Sequence, residues 1–303
     1  MISIIIATVD AKRLQAVSDN LSQTVGVPYE LITIENQNAK QGLCAIYNQG
    51  ASQAQYNILC FMHEDVLIHT RDWGQKVCEI LEDPAIGLLG VIGVVYKSKA
   101  PSGIWCRTSE DVNRGRYYCY NNQGERWLFE RNPNGQVLES VVAIDGLWMC
   151  TRKEVWLQHP FDSKTFVGFH MYDVDFSTQI YQTHRVCVTY EILMEHFSNG
   201  SWTRDWLDSV EAYSKKWHSL LPLSINPLSR SEIYELEYRR YVRVANFLLN
   251  EGKRFQRGIG YSLQAIIRRP LISANYKKLF VFLFGLESTD RIVAFKNRLQ
   301  KQL

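Results

Sequence analysis

The chain contains no pair of cysteines at CxxC spacing, no internal repeat and no low-complexity tract. No segment approaches the roughly 18 uninterrupted apolar residues of a membrane-spanning helix. The first strand-like run is followed by ATVDAKRLQ, without the Gly- and Arg-rich loop expected of a nucleotidyltransferase, so that reading ranks low. There is no recognised nucleic-acid motif, and most of the chain is acidic, which argues against a nucleic-acid partner. The opening residues, MISIIIATVDAKR, lack a basic stretch ahead of a short apolar run, so no cleaved leader is expected.

What is present describes a folded protein. Of the 303 residues, 46% are apolar and 21% charged, as in soluble globular domains. The seven cysteines (Cys44, Cys60, Cys78, Cys106, Cys119, Cys150 and Cys187) are odd in number, and several sit inside apolar runs. Reduced, packed thiols in the cytoplasm are the expectation. The net charge of +3 hides an asymmetry. Residues 1–228 carry 19 Lys+Arg against 25 Asp+Glu, and residues 229–303 carry 15 against 6.

Residues 57–68 (NILCFMHEDVLI) organise the rest. An apolar run ends abruptly in His63-Glu64-Asp65 and then resumes. Acids at the carboxyl end of a buried strand sit where open α/β sheets bind ligands. A metal-and-phosphate site is one reading; a solvated turn between strand and helix is the other.

Taken in order, residues 3–8 predict a buried strand, residues 10–24 a helix with Leu14, Val17 and Leu21 on one face, and residues 29–34 a second strand closing on Glu35-Asn36. A loop with Lys40 and Gly42 leads into a helix presenting Leu43, Ile46, Tyr47 and Ala51, and then comes the strand at 57–62. That alternation predicts a parallel sheet with right-handed crossovers. A helix is expected over 72–81 and one strand over 87–96. The pattern dissolves between 97 and 139, where turn signals at 121–124 and 132–135 suggest two short hairpins. Trp105, Tyr117, Tyr118, Tyr120 and Trp127 there read either as a sugar-stacking lip or as a β subdomain with its own small core. Order returns with apolar residues around Asp145-Gly146, a short helix from 153, a helix start carrying Asp173 and Asp175, and a strand over 186–190 followed by His196. Residues 199–217 predict a helix with Trp202, Trp206, Val210, Tyr213 and Trp217 on one stripe. Residues 229–303 predict basic helices with two open readings, contact with an anionic membrane or a cap packed on the main domain.

Six polar positions therefore stand at the ends of apolar runs or at a helix start: Thr8, Glu35-Asn36, His63-Glu64-Asp65, Asp145, Asp173 and His196. Each alone has a bland explanation, but parallel strands deliver their carboxyl ends to one side. The segments SIIIAT, ELITIEN, GLCAIYNQGASQAQYNILCFMHEDV, VVAIDGLWMCTRKEVW, FVGFHMYDVDFS and MEHFSNGSW, in that order, resemble a GT-A glycosyltransferase of the family 2 type over about residues 1–202.

The resemblance implies an α/β GT-A fold, a mostly parallel Rossmann-like sheet flanked by helices. Residues 1–228 would form the transferase domain, with 97–139 as an inserted acceptor-side segment and 229–303 as a basic helical extension. It also implies inverting, metal-dependent transfer of a hexosyl unit from a UDP- or GDP-sugar to a glycan or lipid-linked acceptor in polysaccharide biosynthesis, in the cytoplasm or on the inner face of the plasma membrane. Asp65 matches the acid that holds Mn²⁺ or Mg²⁺ on the donor diphosphate, and His196 matches the histidine that completes the metal site. His63 stands where an Asp is usual, leaving metal, ribose and phosphate open as its partners; imidazole suits Mn²⁺ better than Mg²⁺. Asp173 matches the catalytic base, with Tyr172 in place of the usual Glu. Thr8, Glu35, Asn36 and Glu64 fall among the donor contacts; Asp145, Gly146 and Tyr172 fall on the acceptor side. Asp175, two residues after Asp173, reads either as a like charge that raises the pKa of Asp173 or, the favoured reading, as a helix cap. Because two residues depart from the family pattern, a non-catalytic nucleotide-sugar-binding or scaffold protein of the same fold is the alternative.

Overall fold

A computed structural model describes residues 1–37, 41–104, 112–121, 123–198, 203–250 and 255–284. The chain divides into two compact units, Met1–Lys97 with Gly103–Asn226, and Ser98–Ser102 with Pro227–Leu303.

In the first unit, β1 (Ile2–Thr8), α1 (Ala11–Thr24), β2 (Tyr29–Glu35), α2 (Leu43–Gln53) and β3 (Ile58–His63) alternate as expected. Strand β1 lies between β2 and β3, parallel to both. Ile2, Ile4, Ile5 and Ile6 are fully buried because side chains on both faces of this central strand are covered. Asp10 starts α1 by accepting from the amides of Lys12 (2.8 Å) and Arg13 (3.4 Å), satisfying donors that have no intrahelical partner. The register places Thr8 opposite Glu35 and Ala7 opposite His63, so these residues share one edge.

After β3 the chain makes a tight turn into β4 (Val66–Ile68) and α3 (Trp73–Leu81). The apolar run expected as one strand over 87–96 is divided into β5 (Ile86–Gly90), β6 (Ile92–Val94) and β7 (Tyr96–Lys97), which join three different sheets. Hydropathy does not register such a handover, because every residue of β5 to β7 is buried whichever sheet it joins. Strands β8 (Asn113–Tyr120) and β9 (Arg126–Arg131) form one hairpin, turning where Asn121 Oδ1 accepts from the amides of Gln123 and Glu125. The second expected hairpin does not form. The turn at 132–135 leads instead to β10 (Leu138–Val141), which pairs with β13 (Arg185–Thr189). Nor do β8 and β9 pack a separate core. Tyr117, Cys119 and Phe129 are buried with Ile92, Leu147 and Met194 in the main cluster.

Strands β11 (Ala143–Ile144) and β12 (Trp148–Arg152) flank Asp145-Gly146. Strand β12 lies between β3 and β5, antiparallel to both, in the seven-stranded order β10-β13-β5-β12-β3-β1-β2. Five of the seven strands run one way, so the sheet is mostly parallel. Helices α4 (Lys153–Gln158) and α5 (Tyr172–Tyr181) follow, then β13 and β14 (Met194–His196). The second sheet runs β11-β6-β8-β14-β4, with β9 alongside β8. Helix α6 (Arg204–Lys216) begins later than its aromatic stripe predicts, at a Thr203 cap accepting from Trp206 N at 3.2 Å. Trp206, Val210 and Tyr213 are buried on one face. Strand β15 (Leu223–Ser224) pairs with β7. The six described cysteines are all free thiols. Lys40, Trp105, Cys106 and residues 199–202 lie outside the described residues.

The second unit is helical: α7 (Arg230–Asn250), α8 (Phe255–Arg268) and α9 (Ser273–Phe284). Its core gathers Ala100, Tyr241 and Ala265, and the buried Glu237 accepts from the amides of Lys99 (3.0 Å) and Ala100 (3.2 Å). Leu263, Ile267 and Leu271 remain exposed at four-residue spacing. Among the described residues no helix is long and apolar enough to cross a membrane. Residues 285–303, expected to extend the helices, lie outside the described ones.

Candidate functional site

Two sheets meet at the turn between β3 and β4. His63 closes β3, and its amide donates to Leu147 O at 3.0 Å. Strand β4 pairs antiparallel with β14, aligning Val66 with His196. His196 therefore reaches Asp65 from the second sheet, not from the carboxyl end of a strand in the first. Asp145 is a second departure from the expected geometry. It precedes antiparallel β12, whose start lies beside the end of β3, and so arrives at the same edge by the opposite strand direction.

Residues 64 and 65 form the turn between β3 and β4, and this turn sends the side chains of His63-Glu64-Asp65 to two different sides. Asp65 Oδ1 lies 3.4 Å from His196 Nε2 and 3.8 Å from His63 Nδ1. One potential ligand atom from each of His63, Asp65 and His196 falls within 4.8 Å of the others. Two imidazoles and a carboxylate that are neither exposed nor fully enclosed suit a divalent transition ion such as Mn²⁺ better than Mg²⁺. Glu64 faces the other way. Its Oε2 accepts from Thr8 Oγ1 (2.6 Å) and from the amides of Val9 (3.1 Å) and Asp10 (3.2 Å), so Glu64 and Thr8 together hold the β1–α1 loop.

Electrostatics separate the members of the cluster. Burial pushes the Asp65 carboxyl up, but the hydrogen bond and charge of His196, with His63 and Ser198, outweigh it and hold Asp65 down at about 2. Burial, reinforced by His196, lowers His63 to about 4 against the opposing pull of Asp65 and Asp145. At neutral pH His63 is therefore an uncharged imidazole with a lone pair, the form that ligates a metal.

Asp173 lies in the first turn of α5, directly after Met171 and Tyr172. Met171 has a left-handed backbone (φ +68°), a strained setting for a residue with a side chain. Asp173 Oδ2 accepts from Gly146 N at 3.0 Å and Oδ1 from Val174 N at 2.8 Å. Burial and the neighbouring Asp145 raise its carboxyl to about 7, against the pull of those amides. The like charge acting on it is thus Asp145, not Asp175. Nor does Asp175 cap the helix. It is buried and accepts from Trp217 Nε1 (2.7 Å), Lys216 Nζ (2.9 Å) and Gln179 Nε2 (2.9 Å), tying α5 to the end of α6.

Tyr172 joins the carboxyl to the cluster. Its hydroxyl lies 2.6 Å from His63 Nε2. A Cβ on Gly146 would stand 2.1 Å from that hydroxyl, so only glycine admits this packing. Glu35 is exposed at the end of β2, and Asn36 shapes the following loop by accepting from Gln41 N (3.2 Å) and donating to Gln41 O (2.9 Å). Sequence reasoning missed Arg13, 3.9 Å from Asp65, and Ser198, whose hydroxyl lies 3.0 Å from His196 Nε2. A hydroxyl two residues after His196 was a signal available in the sequence; Arg13 gave none.

A family model described as "Glycosyltransferase like family" matches residues 3–215. No curated protein matches the chain. Among solved structures, GalNAc-T7 with UDP, GalNAc and Mn²⁺ is 9% identical with a TM-score of 0.49, the match covering 72% of this chain and 48% of that one. The chain thus spans about half of that protein's length. A197 from STIV is 14% identical with a TM-score of 0.39, covering 65% of this chain and 86% of that one. Likenesses this distant carry no information on substrate or metal.

Proposed function

The chain belongs to the glycosyltransferase-like family, with a GT-A fold, and from that premise we propose an inverting hexosyltransferase that uses a nucleoside-diphosphate sugar. Asp65, His196 and His63 would hold a divalent cation, and Asp173 would be the base. The observation that carries the reading is the convergence of His63, Asp65 and His196 beside a carboxyl raised to about 7. They belong to one site: His63 bonds the neighbour of Asp173, and Asp145 acts on both His63 and Asp173.

A divalent cation bound there supplies Lewis-acid neutralisation of charge on a departing diphosphate. Asp173 takes the proton of the acceptor hydroxyl. A base poised near the working pH combines a useful fraction of the ionised form with driving force for proton transfer. One base and in-line attack give inversion, by the logic that links single displacement to inversion in glycosidases. Gly146 N and Val174 N fix the carboxylate so that it meets the hydroxyl without reorganising. Thr8, Asn36 and Glu64 shape the loops after β1 and β2, where nucleotide and ribose would lie, with Glu35 exposed beside them. Residues 1–228 would carry the transfer, with the acceptor side over 97–139. The exposed Leu263, Ile267 and Leu271, in a region with nine more Lys+Arg than Asp+Glu, favour a peripheral contact with an anionic membrane and a lipid-linked acceptor.

The test is a panel of UDP- and GDP-sugars with Mn²⁺, read by released nucleoside diphosphate, for the native chain and for Asp65→Ala. Release that needs Asp65 and stops with EDTA is expected. Binding without turnover across donors and acceptors would leave a nucleotide-sugar-binding scaffold.

A further inference from the structure

Tyr172 and His63 are the two residues that depart from the pattern of the resemblance, and they touch each other. The contact is between Tyr172 Oη and His63 Nε2, at 2.6 Å. Tyr172 is 3% exposed, and its ring packs edge-on against that of Tyr47, with centroids 5.6 Å apart. The Tyr47 hydroxyl reaches the carbonyl oxygen of Met62 on β3, at 3.5 Å.

A neutral imidazole carries one proton, so the two ring nitrogens of His63 take opposite roles. With Nε2 against Tyr172, Nδ1 is the atom that faces Asp65, at 3.8 Å. For Nδ1 to offer a lone pair to a cation at the cluster, Nε2 carries the proton and the Tyr172 oxygen accepts it. Burial raises the Tyr172 hydroxyl well above its ordinary value, so it remains a neutral donor and acceptor across working pH.

We propose that Tyr172 is a positioning residue that locks His63 in the tautomer whose Nδ1 lone pair faces the Asp65–His196 cluster. Tyr172 thereby makes His63 a nitrogen ligand and biases the site toward Mn²⁺ over Mg²⁺. The proposal rests on the cation reading of that cluster. Partners of this kind on the far nitrogen of a ligating histidine fix its ring, and losing one typically costs about 10- to 100-fold in metal affinity. Phe169, whose ring centroid lies 5.7 Å from that of His63, supports the imidazole by packing and sets no tautomer.

The experiment uses the full chain labelled with ¹⁵N-histidine, as native protein, Tyr172→Phe and Asp65→Ala. Long-range ¹H–¹⁵N correlation in EDTA reads the His63 tautomer, assigned by its loss in His63→Asn. Paramagnetic resonance titration with Mn²⁺ alone reads affinity. The native protein is expected to show the Nε2–H form alone, and Tyr172→Phe a mixture of tautomers with Mn²⁺ affinity about tenfold weaker. Native His63 in the Nδ1–H form, or unchanged tautomer and affinity in Tyr172→Phe, overturns the proposal. If Asp65→Ala binds Mn²⁺ as tightly as the native chain, the cation reading falls, and with it the ligand role of His63. The tautomer measurement then still decides, separately, whether Tyr172 sets the ring.

Discussion

Replacing Asp173 with Asn should change stability in a pH-dependent way that identifies the carboxyl. Asp173 titrates near 7 in the folded protein and near 3.8 when free of it. The folded state therefore holds the proton more tightly, and the stability this contributes is fully present below about pH 3.8 and lost as pH rises through about 7. Between pH 5 and pH 8 the loss integrates to about 2 to 3 kcal/mol. Asn removes the titration and keeps the shape, although its amide faces one of the two backbone donors and forfeits that bond at every pH. Urea unfolding of the native and Asn proteins in EDTA, at both pH values, isolates the term. The native protein should lose about 2 kcal/mol or more relative to the variant on going from pH 5 to 8, while transfer falls by at least about a hundredfold in the variant. A stability difference that does not move with pH would refute the raised carboxyl, and full transfer by Asp173→Asn would refute the base.

Other outcomes follow from the same geometry. Glu64→Ala leaves Thr8 Oγ1 and the amides of Val9 and Asp10 without their acceptor, and should cost about 3 kcal/mol in urea unfolding. Gly146→Ala drives a methyl against the Tyr172 hydroxyl and should destabilise by about 1 to 3 kcal/mol while weakening Mn²⁺ binding, read by titration. Leu271 is 97% exposed, so the paired change Ile267→Glu and Leu271→Glu should leave the melting temperature in place and reduce co-sedimentation with anionic vesicles. Vesicle binding unchanged by that pair would make the tail a packing cap or an oligomer surface.

Much of the fold was legible because buried parallel strands read as unbroken apolar runs. Ile2 to Ile6 and Leu59 to Met62 are enclosed on both faces and announce themselves. The handover of residues 86–97 among three sheets was not legible, since Leu88, Ile92 and Tyr96 are equally buried whichever sheet they join. The site divided in the same way. Asp65, Asp173 and His196 stood out as polar residues interrupting apolar runs. The separation of Glu64 from His63 and Asp65 was not legible, because residues 64 and 65 form the turn between β3 and β4, where strand alternation no longer applies. The origins of the neighbouring charge were beyond reach: that Asp145 and not Asp175 presses on Asp173 depends on an antiparallel β12, which the sequence does not announce. The Tyr172–His63 contact spans 109 positions and arises only from the packing of α5 beside the end of β3.

The central claim is that His63, Asp65 and His196 hold a cation on which a nucleoside diphosphate is anchored. Calorimetric titration of the full chain with UDP and with GDP, in Mn²⁺ and in EDTA, tests it most directly. The account predicts binding of one of them in Mn²⁺ that disappears in EDTA and in both Asp65→Ala and His196→Ala. Binding of equal strength in EDTA, or undiminished in Asp65→Ala, would contradict it.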